Sequence, residues 1–411
     1  MDYRKLKADF IFTGSEMLNR DSVLIVNETG TVVQIVSPEE AGEQVEILKG
    51  LLVPGFVNSH CHLELSHMTS VVAPGSGLVP FLKRVIKERN FSSFVISDAM
   101  KRAEEEMYHS GVVAVGDICN TTDSIETKRN SEIEWHNFIE VMGFSKEKAG
   151  QRLADAGKVL TEFEHRLPLY SNTRDDIGIT TLTDHRLASS LTPHAPYSVS
   201  ETLFQLINEV SAGKIITIHN QESFIENDLY ENKSGPLFEL YEHLHIDPSF
   251  FTPSGKSSLR TYLPWLQKAS RILLVHNTFT SREDLLFARS IADQFPDLFF
   301  CICINANRYI ESSNPPVDLL REFDCTICLG TDSYASNWQL NMLEEIKTIQ
   351  QQFQHIPLPE ILQWATINGA KALNLDKKLG TFETGKQPGV VLIDKIMDGK
   401  VCNDSNAIRI L

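Results

Sequence analysis

The stretch VPGFVNSHCHLE, residues 53–64, joins a short apolar run to two histidines that are separated by one residue. The run predicts a buried strand at Gly55–His60. Alternate side chains of an extended backbone leave on the same face, so His60 and His62 can reach one cation. Alone, the pair is a weak indication, because two ordinary histidines at a strand end give the same pattern.

Seven more apolar runs follow, each bounded by Gly, Pro or polar residues, and longer segments with helical spacing lie between them. This alternation predicts parallel strands joined by crossover helices, an α/β fold. Eight β/α units over roughly 320 residues favour a distorted (β/α)8 TIM barrel with insertions over an open sheet, although the sequence does not show closure. The predicted strands are Gly55–His60, Val112–Asp117, Glu134–Glu140, Leu187–Thr192, Ile215–His219, Ile272–His276, Leu298–Cys303 and Thr326–Thr331. The predicted helices include Ser97–His109, Glu201–Ser211, Ser281–Phe295 and Asn341–Gln352.

Both ends of the chain have a different pattern, made of short β-rich runs separated by turn residues. They predict a small antiparallel N-terminal sheet that the C-terminal strands rejoin. The expected domains are a barrel at residues 55–373 and a small β-sandwich formed by residues 1–54 and 374–411. The terminal runs are Asp9–Thr13, Val23–Val26, Val32–Val36, Gly389–Asp394 and Ala407–Leu411.

Metal-binding and acidic side chains close the predicted strands, at the edge where the catalytic groups of a (β/α)8 barrel lie. Three imidazoles and one carboxylate are a typical zinc set, and with bound water they also suit iron or manganese. We therefore expect one divalent metal ion, held by His60, His62, His219 and Asp332. The full row of strand-end groups is His60, His62, Asp117, Glu140, His194, His219, His276 and Asp332.

Three acid–base groups are expected around that ion. A divalent metal lowers the pKa of its water from about 15.7 toward about 7, and Asp332 lies beside that water as the base that accepts its proton. Glu222, three residues after His219, is the expected proton shuttle, although an acid at a helix start also has a purely structural use. His276 is placed to hold or polarise the attacking hydroxide, unless it is a structural histidine.

The composition of the chain argues against several classes of binding partner. The 411 residues carry a formal charge of −16 without a long Lys/Arg cluster, which argues against nucleic acid. The chain lacks the roughly 18–20 consecutive apolar residues of a membrane helix, and Met1–Phe10 lacks the apolar core of a secretory signal. We expect a cytoplasmic protein with a small-molecule substrate and no membrane contact. Cys325 and Cys328 form a CxxC, which we interpret as core thiols of a strand rather than a redox or zinc pair.

Five motifs in order resemble the amidohydrolase superfamily over essentially the whole chain, in particular its methylthioadenosine/S-adenosylhomocysteine deaminases, with chlorohydrolases as close relatives. The motifs are VPGFVNSHCHLE, LTPHAPYSVS, IHNQES, LLVHNT and LGTDSYASN, and the tail ATINGAKALNL with LGTFETGKQPGVVLID is similar to the C-terminal signature of the family. The resemblance implies a distorted barrel with a β-sandwich from both termini, the four metal ligands above, and catalytic Glu222 and His276. Binuclear relatives carry a carboxylated lysine on strand four. Thr192–His194 contains none, which favours one metal.

The resemblance also suggests substrate contacts. His194 resembles the position that touches the nucleoside in the deaminase branch, although a structural histidine is an alternative. Glu64 resembles part of the HxHLE pattern of aminodeoxyfutalosine deaminases and receives no firm role. Where relatives carry Cys-Pro-x-Ser-Asn, this chain has Cys-Ile-Asn-Ala-Asn at Cys303–Asn307. This difference weakens any inference of the substrate of this chain from the substrates of relatives. Arg308, just beyond, can face a substrate carboxylate or form a surface ion pair.

The leading hypothesis is hydrolytic removal of an exocyclic amino group from a purine-type ring, in a nucleoside or thionucleoside of adenosine, methylthioadenosine, S-adenosylhomocysteine or aminodeoxyfutalosine type. One alternative keeps the scaffold and changes the ring or leaving group to guanine, cytosine, an s-triazine chloride or a cyclic amide. Another is a metal-binding barrel without catalysis. A homodimer is compatible with the resemblance, although the sequence shows no interface. We expect Glu64–Arg84 and Ser223–Pro253 to line the pocket.

Overall fold

The structure is a computed structural model that describes residues 3–167, 171–174, 180–183, 187–292 and 295–411. Strands and helices alternate through the middle of the chain, and short strands occupy both ends. The strands are β1 (Tyr3–Lys7), β2 (Phe10–Phe12), β3 (Met17–Leu18), β4 (Val23–Asn27), β5 (Val32–Val36), β6 (Glu46–Ile47), β7 (Leu51–Pro54), β8 (Phe56–Cys61), β9 (Val112–Cys119), β10 (Glu134–Val141), β11 (Ser171–Arg174), β12 (Thr180–Thr183), β13 (Leu187–Pro193), β14 (Ile215–Asn220), β15 (Arg271–His276), β16 (Asp297–Ile302), β17 (Thr326–Leu329), β18 (Val390–Ile393), β19 (Ile396–Met397), β20 (Lys400–Val401) and β21 (Ala407–Arg409). The helices are α1 (Pro38–Ala41), α2 (Leu78–Glu88), α3 (Ser93–His109), α4 (Ile125–Arg129), α5 (Ala149–Arg166), α6 (Glu201–Val210), α7 (Phe224–Asn232), α8 (Leu237–His243), α9 (Ser258–Tyr262), α10 (Arg282–Ile291), α11 (Ile304–Glu311), α12 (Val317–Glu322), α13 (Met342–Gln352), α14 (Leu358–Ala365) and α15 (Ile367–Ala372).

Two four-stranded parallel sheets form the centre of the fold. Their orders are β13-β10-β9-β8 and β14-β15-β16-β17, and every neighbouring pair in them runs parallel. β9, β10 and β14 are buried along their whole length, as parallel strands covered on both faces require. The predicted α/β class is confirmed, and each of the eight predicted strands is present with ends that differ by at most two residues.

The edges of the two sheets contact each other. Between β13 and β14, His219 N donates to the carbonyl oxygen of His194 (2.9 Å). Between β17 and β8, the backbone N–H groups of Thr331 and Asp332 both donate to the carbonyl oxygen of His60, each at 3.0 Å. These bonds explain why β17 ends two residues before its predicted end, because Thr331 pairs with His60 of β8 rather than with β16.

Hydroxyl and amide side chains fix the starts of several helices. Ser92, Ser200, Ser281 and Asn341 precede α3, α6, α10 and α13, and each accepts a hydrogen bond from a backbone N–H of the first turn. The predicted helices Ser281–Phe295 and Asn341–Gln352 therefore begin one residue late, since their first residue is the cap. Residues 293 and 294 of the former lie outside the described residues. In the part of the chain that the structure describes, no helix is long and apolar enough to cross a membrane.

The short strands at the two ends of the chain pair with each other. β18 lies antiparallel to β7, with Val391 opposite Val53, and β21 extends the same sheet. A second sheet has the order β5-β4-β1-β6. The predicted return of the C-terminal strands is confirmed. The prediction of a purely antiparallel N-terminal sheet was wrong, because β6 and β7 return in parallel beside β1 and β2 after intervening strands that provide the crossover a parallel pair needs.

Candidate active site

Four side chains converge at the carboxyl ends of the central strands. His62 Nε2 lies 3.2 Å from His219 Nε2 and 3.4 Å from Asp332 Oδ1, and His60 Nε2 lies 3.6 Å from the same oxygen. Ligands held tetrahedrally at about 2.0–2.1 Å from zinc are about 3.3–3.5 Å apart. The three measured pairs among the four predicted ligands therefore have spacings close to those of a tetrahedral metal site.

His60 lacks the hydrogen bonds that a purely structural buried histidine needs. Both ring nitrogens of His60 are buried, and neither has a hydrogen-bond partner among the described residues. A buried polar atom without a partner costs about 1–3 kcal/mol. A cation would supply the missing interaction to Nε2, and three imidazoles with one carboxylate fit zinc, iron or manganese.

The electrostatic surroundings favour the protonation states that bind metal. Burial lowers the pKa of His62 to about 3 and the pKa of His219 well below its ordinary value, so both rings are neutral near pH 7. Burial alone would raise the pKa of Asp332, but the adjacent His60, 3.6 Å away, and electrostatic interactions with His62 and His276 outweigh that effect and hold the pKa below its ordinary value. His219 Nδ1 donates to the carbonyl oxygen of His194 (2.9 Å), which leaves Nε2 as a free lone pair.

Asp332 is oriented by its backbone and by a serine. Ser336 Oγ donates to Asp332 Oδ2 (2.6 Å), so Oδ1 is the oxygen that faces the histidines. Asp332 has a φ of 59°, and the catalytic candidate His276 has a φ of 73°. Such left-handed conformations cost of order 1–3 kcal/mol for residues other than glycine and persist where the surroundings fix them. The fold therefore holds both side chains in their positions against local strain.

A carboxyl group and an imidazole stand beside the ligand set. Glu222 Oε1 lies 3.5 Å from His276 Nε2, and both side chains are buried. Asn307 Nδ2 donates to the carbonyl oxygen of His276 (3.0 Å) and to Thr278 Oγ1 (3.0 Å), which turns Asn307 Oδ1 toward His276 Nδ1 (3.1 Å). His276 Nδ1 must then carry the proton, so Nε2 has a free lone pair. Burial raises the pKa of Glu222 to about 7, so this carboxyl can hold a proton near neutral pH.

One cavity of about 870 Å³, a size typical of small-molecule sites, is lined by His62, His219, Glu222, His276 and Asp332. His194 lies in its wall, and its Nδ1 shares a hydrogen bond with Ser198 Oγ (2.6 Å), which leaves Nε2 for a ligand. Burial lowers the pKa of His194 to about 4, so the ring is neutral near pH 7. The segments Glu64–Arg84 and Ser223–Pro253 both contribute lining residues, as predicted.

Glu64 and Arg308, the other predicted substrate contacts, have different surroundings. Glu64 borders the cavity, but its carboxylate accepts hydrogen bonds from Asn120 N (3.0 Å), Thr121 N (3.0 Å) and Thr121 Oγ1 (2.9 Å). It therefore holds the loop that follows β9. Among the described residues, those that line the cavity do not include Arg308. The Nη1 of Arg308 donates instead to Asn314 Oδ1 (3.1 Å). The structure does not bring Arg308 to the site, because α11 directs it toward the segment that follows the helix.

Asp117, another strand-end group, lies beside the segment that contains the predicted ligands His60 and His62. Its Oδ2 is 2.5 Å from Lys128 Nζ, and both side chains have an exposed fraction of 0%. Its Oδ1 accepts a hydrogen bond from the backbone N–H of Leu63 (2.8 Å), the residue that follows His62. Lys128 also donates to Asn137 Oδ1 (2.8 Å). This buried pair supports the backbone just after β8, next to the predicted ligand His62.

We expect Lys128→Ala to lower the free energy of unfolding by about 3–5 kcal/mol, because it leaves Asp117 as an unpaired buried charge. Urea denaturation of the purified variant measures the change. Lys158→Ala is the matched control, since its ion pair with Asp155 is exposed and exposed pairs contribute about 0–1 kcal/mol. An effect of Lys128→Ala as small as that of the control would contradict the prediction.

Two residues at this site were missed from the sequence. Asn307 fixes the tautomer of His276, and Ser336 fixes the rotamer of Asp332. Asn307 lies in the segment that departs from the pattern of relatives, and Ser336 lies four residues after Asp332 in LGTDSYASN. The sequence carries no local signal for the contact of Asn307, because this residue lies 31 positions after His276.

Comparisons with known proteins identify the family of the chain. The model of the amidohydrolase family matches residues 51–408. An adenosine deaminase of Helicobacter pylori is 27% identical over 345 residues, which are 82% of this chain and 77% of that protein. A 5-methylthioadenosine/S-adenosylhomocysteine deaminase of Thermoanaerobacter pseudethanolicus is 24% identical over 398 residues, which are 92% of this chain and 81% of that protein.

A solved structure has the same architecture. The crystal structure of Helicobacter pylori aminofutalosine deaminase in complex with methylthio-coformycin superposes with a TM-score of 0.75 at 23% identity, covering 96% of this chain and 93% of that chain. This likeness shows a shared fold. The family match spans most of the chain, so the predicted resemblance is confirmed: the chain belongs to the amidohydrolase family.

Proposed function

We propose that the protein is a hydrolytic deaminase that uses one divalent cation to remove an exocyclic amino group from a purine-type nucleoside or thionucleoside. The observation that carries the proposal is Glu222, whose buried carboxyl lies 3.5 Å from His276 in the cavity that contains the ligand set. Deamination needs a group there that protonates a ring nitrogen. The three proteins compared above are all named as deaminases, which supports the same reaction class.

The cation would be held by His60, His62, His219 and Asp332. Three nitrogen donors and one oxygen donor favour zinc, with iron or manganese as alternatives. When bound, such a cation supplies Lewis-acid activation of water at neutral pH. β13 ends at Pro193 and leads to His194, so the chain has no lysine there to bridge a second ion, which supports a single one.

The residues of the chain then move the protons. Asp332 accepts one proton of the attacking water, while His276 Nε2 holds that water by accepting its other O–H. As the C–O bond forms, Glu222 donates its proton to the ring nitrogen beside the attacked carbon. The proton held by Asp332 passes to the amine, the C–N bond breaks, and ammonia leaves. The remaining hydroxyl proton returns to Glu222 as the carbonyl forms, so both carboxyl groups regain their starting states.

We also propose a domain organisation. The two parallel sheets close into one distorted (β/α)8 barrel at residues 55–373, and residues 1–54 and 374–411 form a β-sandwich domain. Hydrogen bonds at both pairs of sheet edges support closure, and the pairing of β18 with β7 supports a domain made from both termini.

Ammonia release tests the proposed function. Protein loaded with zinc or manganese is assayed with adenosine, methylthioadenosine, S-adenosylhomocysteine, aminodeoxyfutalosine, guanine and cytosine, and the same protein after chelation is the control. We expect turnover of at least one nucleoside and none after chelation. Turnover limited to free guanine or cytosine would contradict the nucleoside class. A stoichiometric metal content without ammonia from any compound would contradict deamination of these rings.

We expect kcat/KM to fall as pH rises through the pKa of Glu222, because Glu222 must hold a proton in order to donate it. Burial raises this pKa to about 7, and a nearby cation lowers it again, so the decline begins at or below about pH 7. The limiting slope is about tenfold per pH unit. A pH–rate profile of the metal-loaded enzyme measures it. A profile that stays flat from pH 6 to pH 9 would remove the proton-donor role.

A further inference from the structure

Glu140 is a buried acid at the active site that the mechanism does not use. It lies near the end of β10, with 7% of its surface exposed, and lines the cavity together with His194 and Glu222. Asn120 Nδ2 donates to its Oε2 (3.1 Å). Its Oε1 is buried and has no hydrogen-bond partner among the described residues. One oxygen is therefore fixed by the protein, while the other is left for something that enters the cavity.

The neighbouring histidines do not satisfy that oxygen. His219 Nδ1 lies 3.7 Å from Glu140 Oε1 but already donates to the carbonyl oxygen of His194 (2.9 Å). An imidazole nitrogen has one proton to give, so the contact with Glu140 is not a hydrogen bond. Buried carboxylate oxygens are normally paired, so Oε1 requires a donor from another molecule.

A second cation would be one such partner, and the geometry argues against it. Glu140, His194 and His219 each offer an atom within 4.8 Å of the others. However, His219 uses Nδ1 for its backbone bond and Nε2 for the first site, and His194 uses Nδ1 for Ser198. Only one atom from Glu140 and one from His194 remain, fewer than the three protein ligands of a catalytic zinc site.

We propose that Glu140 positions the substrate by accepting a hydrogen bond from a sugar hydroxyl through Oε1, which makes a free hydroxyl on the sugar part of the specificity. This inference rests on the proposed function. When the exocyclic amine of an adenine nucleoside lies at the reacting centre, the ring offers no other N–H, because N9 carries the sugar. A carboxylate oxygen only accepts hydrogen bonds. The donor must then belong to the sugar.

The position of Glu140 suits that contact. Glu140 pairs with Thr192 in the register between β10 and β13, so it lies beside the strand that leads to His194. Both side chains line the same wall of a cavity whose volume of about 870 Å³ leaves room for a sugar beside the ring. Burial raises the pKa of Glu140 to about 7, while the hydrogen bond from Asn120 and the charge of Arg89, which also lines the cavity, oppose that rise and favour the ionised, accepting form.

The test compares substrates that differ by one hydroxyl. KM and kcat are measured for adenosine, 2′-deoxyadenosine, 3′-deoxyadenosine and 5′-deoxyadenosine with the wild-type enzyme, Glu140→Gln and Glu140→Ala. In the wild type, removal of one particular hydroxyl is expected to raise KM about tenfold or more, the effect of a lost charge-assisted hydrogen bond. Both variants are expected to raise KM for the other three substrates and to abolish this difference. Zinc content is expected to stay at that of the wild type.

Other results would overturn the proposal. A variant that raises KM equally for all four nucleosides, or that loses zinc, would show that Glu140 supports the metal site. Equal KM values for all four substrates in the wild type would show that no hydroxyl is bound, and this comparison needs no variant. Glu147→Gln, which removes an exposed carboxylate at the same cavity, is the control and is expected to leave the hydroxyl dependence unchanged.

A failure of the proposed function gives a different pattern. If the wild type releases no ammonia from any nucleoside, the dissociation constants of the same four nucleosides from the zinc-loaded protein are compared instead of their KM values. A hydroxyl-dependent affinity that Glu140→Gln abolishes would support the contact even without turnover. Affinities that are equal for all four nucleosides would overturn it.

Discussion

Glu222→Gln is expected to keep its metal ion and to lower kcat by about 10²–10⁴-fold, the range for removal of a general acid–base group. Glutamine has nearly the same shape, so it occupies the same buried position beside His276. It cannot give up a proton to a ring nitrogen. The loss should appear in kcat more than in KM, because the proton moves in the transition state rather than on binding.

Two measurements separate this role from a structural one. Zinc content of the Glu222→Gln variant should equal that of the wild type, since Glu222 is not among the four proposed ligands. Glu239→Gln, on α8 with an exposed carboxylate 3.6 Å from Lys83, is the matched control and should keep full activity. An active Glu222→Gln enzyme would contradict the role of Glu222 as proton shuttle. A variant without zinc would show that Glu222 acts through the metal site.

Much of the site could be predicted because its residues follow a periodic rule. In a parallel α/β fold every strand ends at the same edge, so a metal-binding side chain that closes an apolar run is placed there by topology alone. His60, His62, His219 and Asp332 satisfy that rule, and the structure brings them within 3.2–3.6 Å of one another in the measured pairs. Their residue types then limit the chemistry.

The rule does not say where a strand-end side chain points. Asp117 obeys the same pattern, yet it faces Lys128, which lies on α4 and was not singled out. Arg308 lies close to the site in sequence, but α11 carries it to Asn314 instead. Such partners depend on how helices pack on the sheets, which local periodicity does not encode. The hydrogen bonds of Asn307 and Ser336 could not be predicted for the same reason, because each depends on a partner that only the three-dimensional fold brings close.

Asp332→Asn is expected to have the largest effect, a loss of kcat on the order of 10³-fold or more, because one change removes both a metal ligand and the base. The amide has no negative charge to offset the cation and accepts no proton from water. Unlike Glu222→Gln, this variant should also lose metal affinity, which metal analysis after dialysis measures. Asp318→Asn, an exposed aspartate paired with Arg321 and His355, should change neither quantity.

Ser336→Ala separates the two roles of Asp332. It keeps the carboxylate but removes the hydrogen bond of 2.6 Å that turns Oδ2 away from the histidines. Loss of a group that orients a metal ligand typically lowers affinity or activity about 10–100-fold, so we expect an intermediate effect that additional zinc partly restores. Additional zinc should not restore the turnover of Asp332→Asn to that of the wild type, because the base is missing at any metal concentration. Full recovery of Asp332→Asn in excess zinc would show that Asp332 is a ligand only and that another group accepts the proton of water.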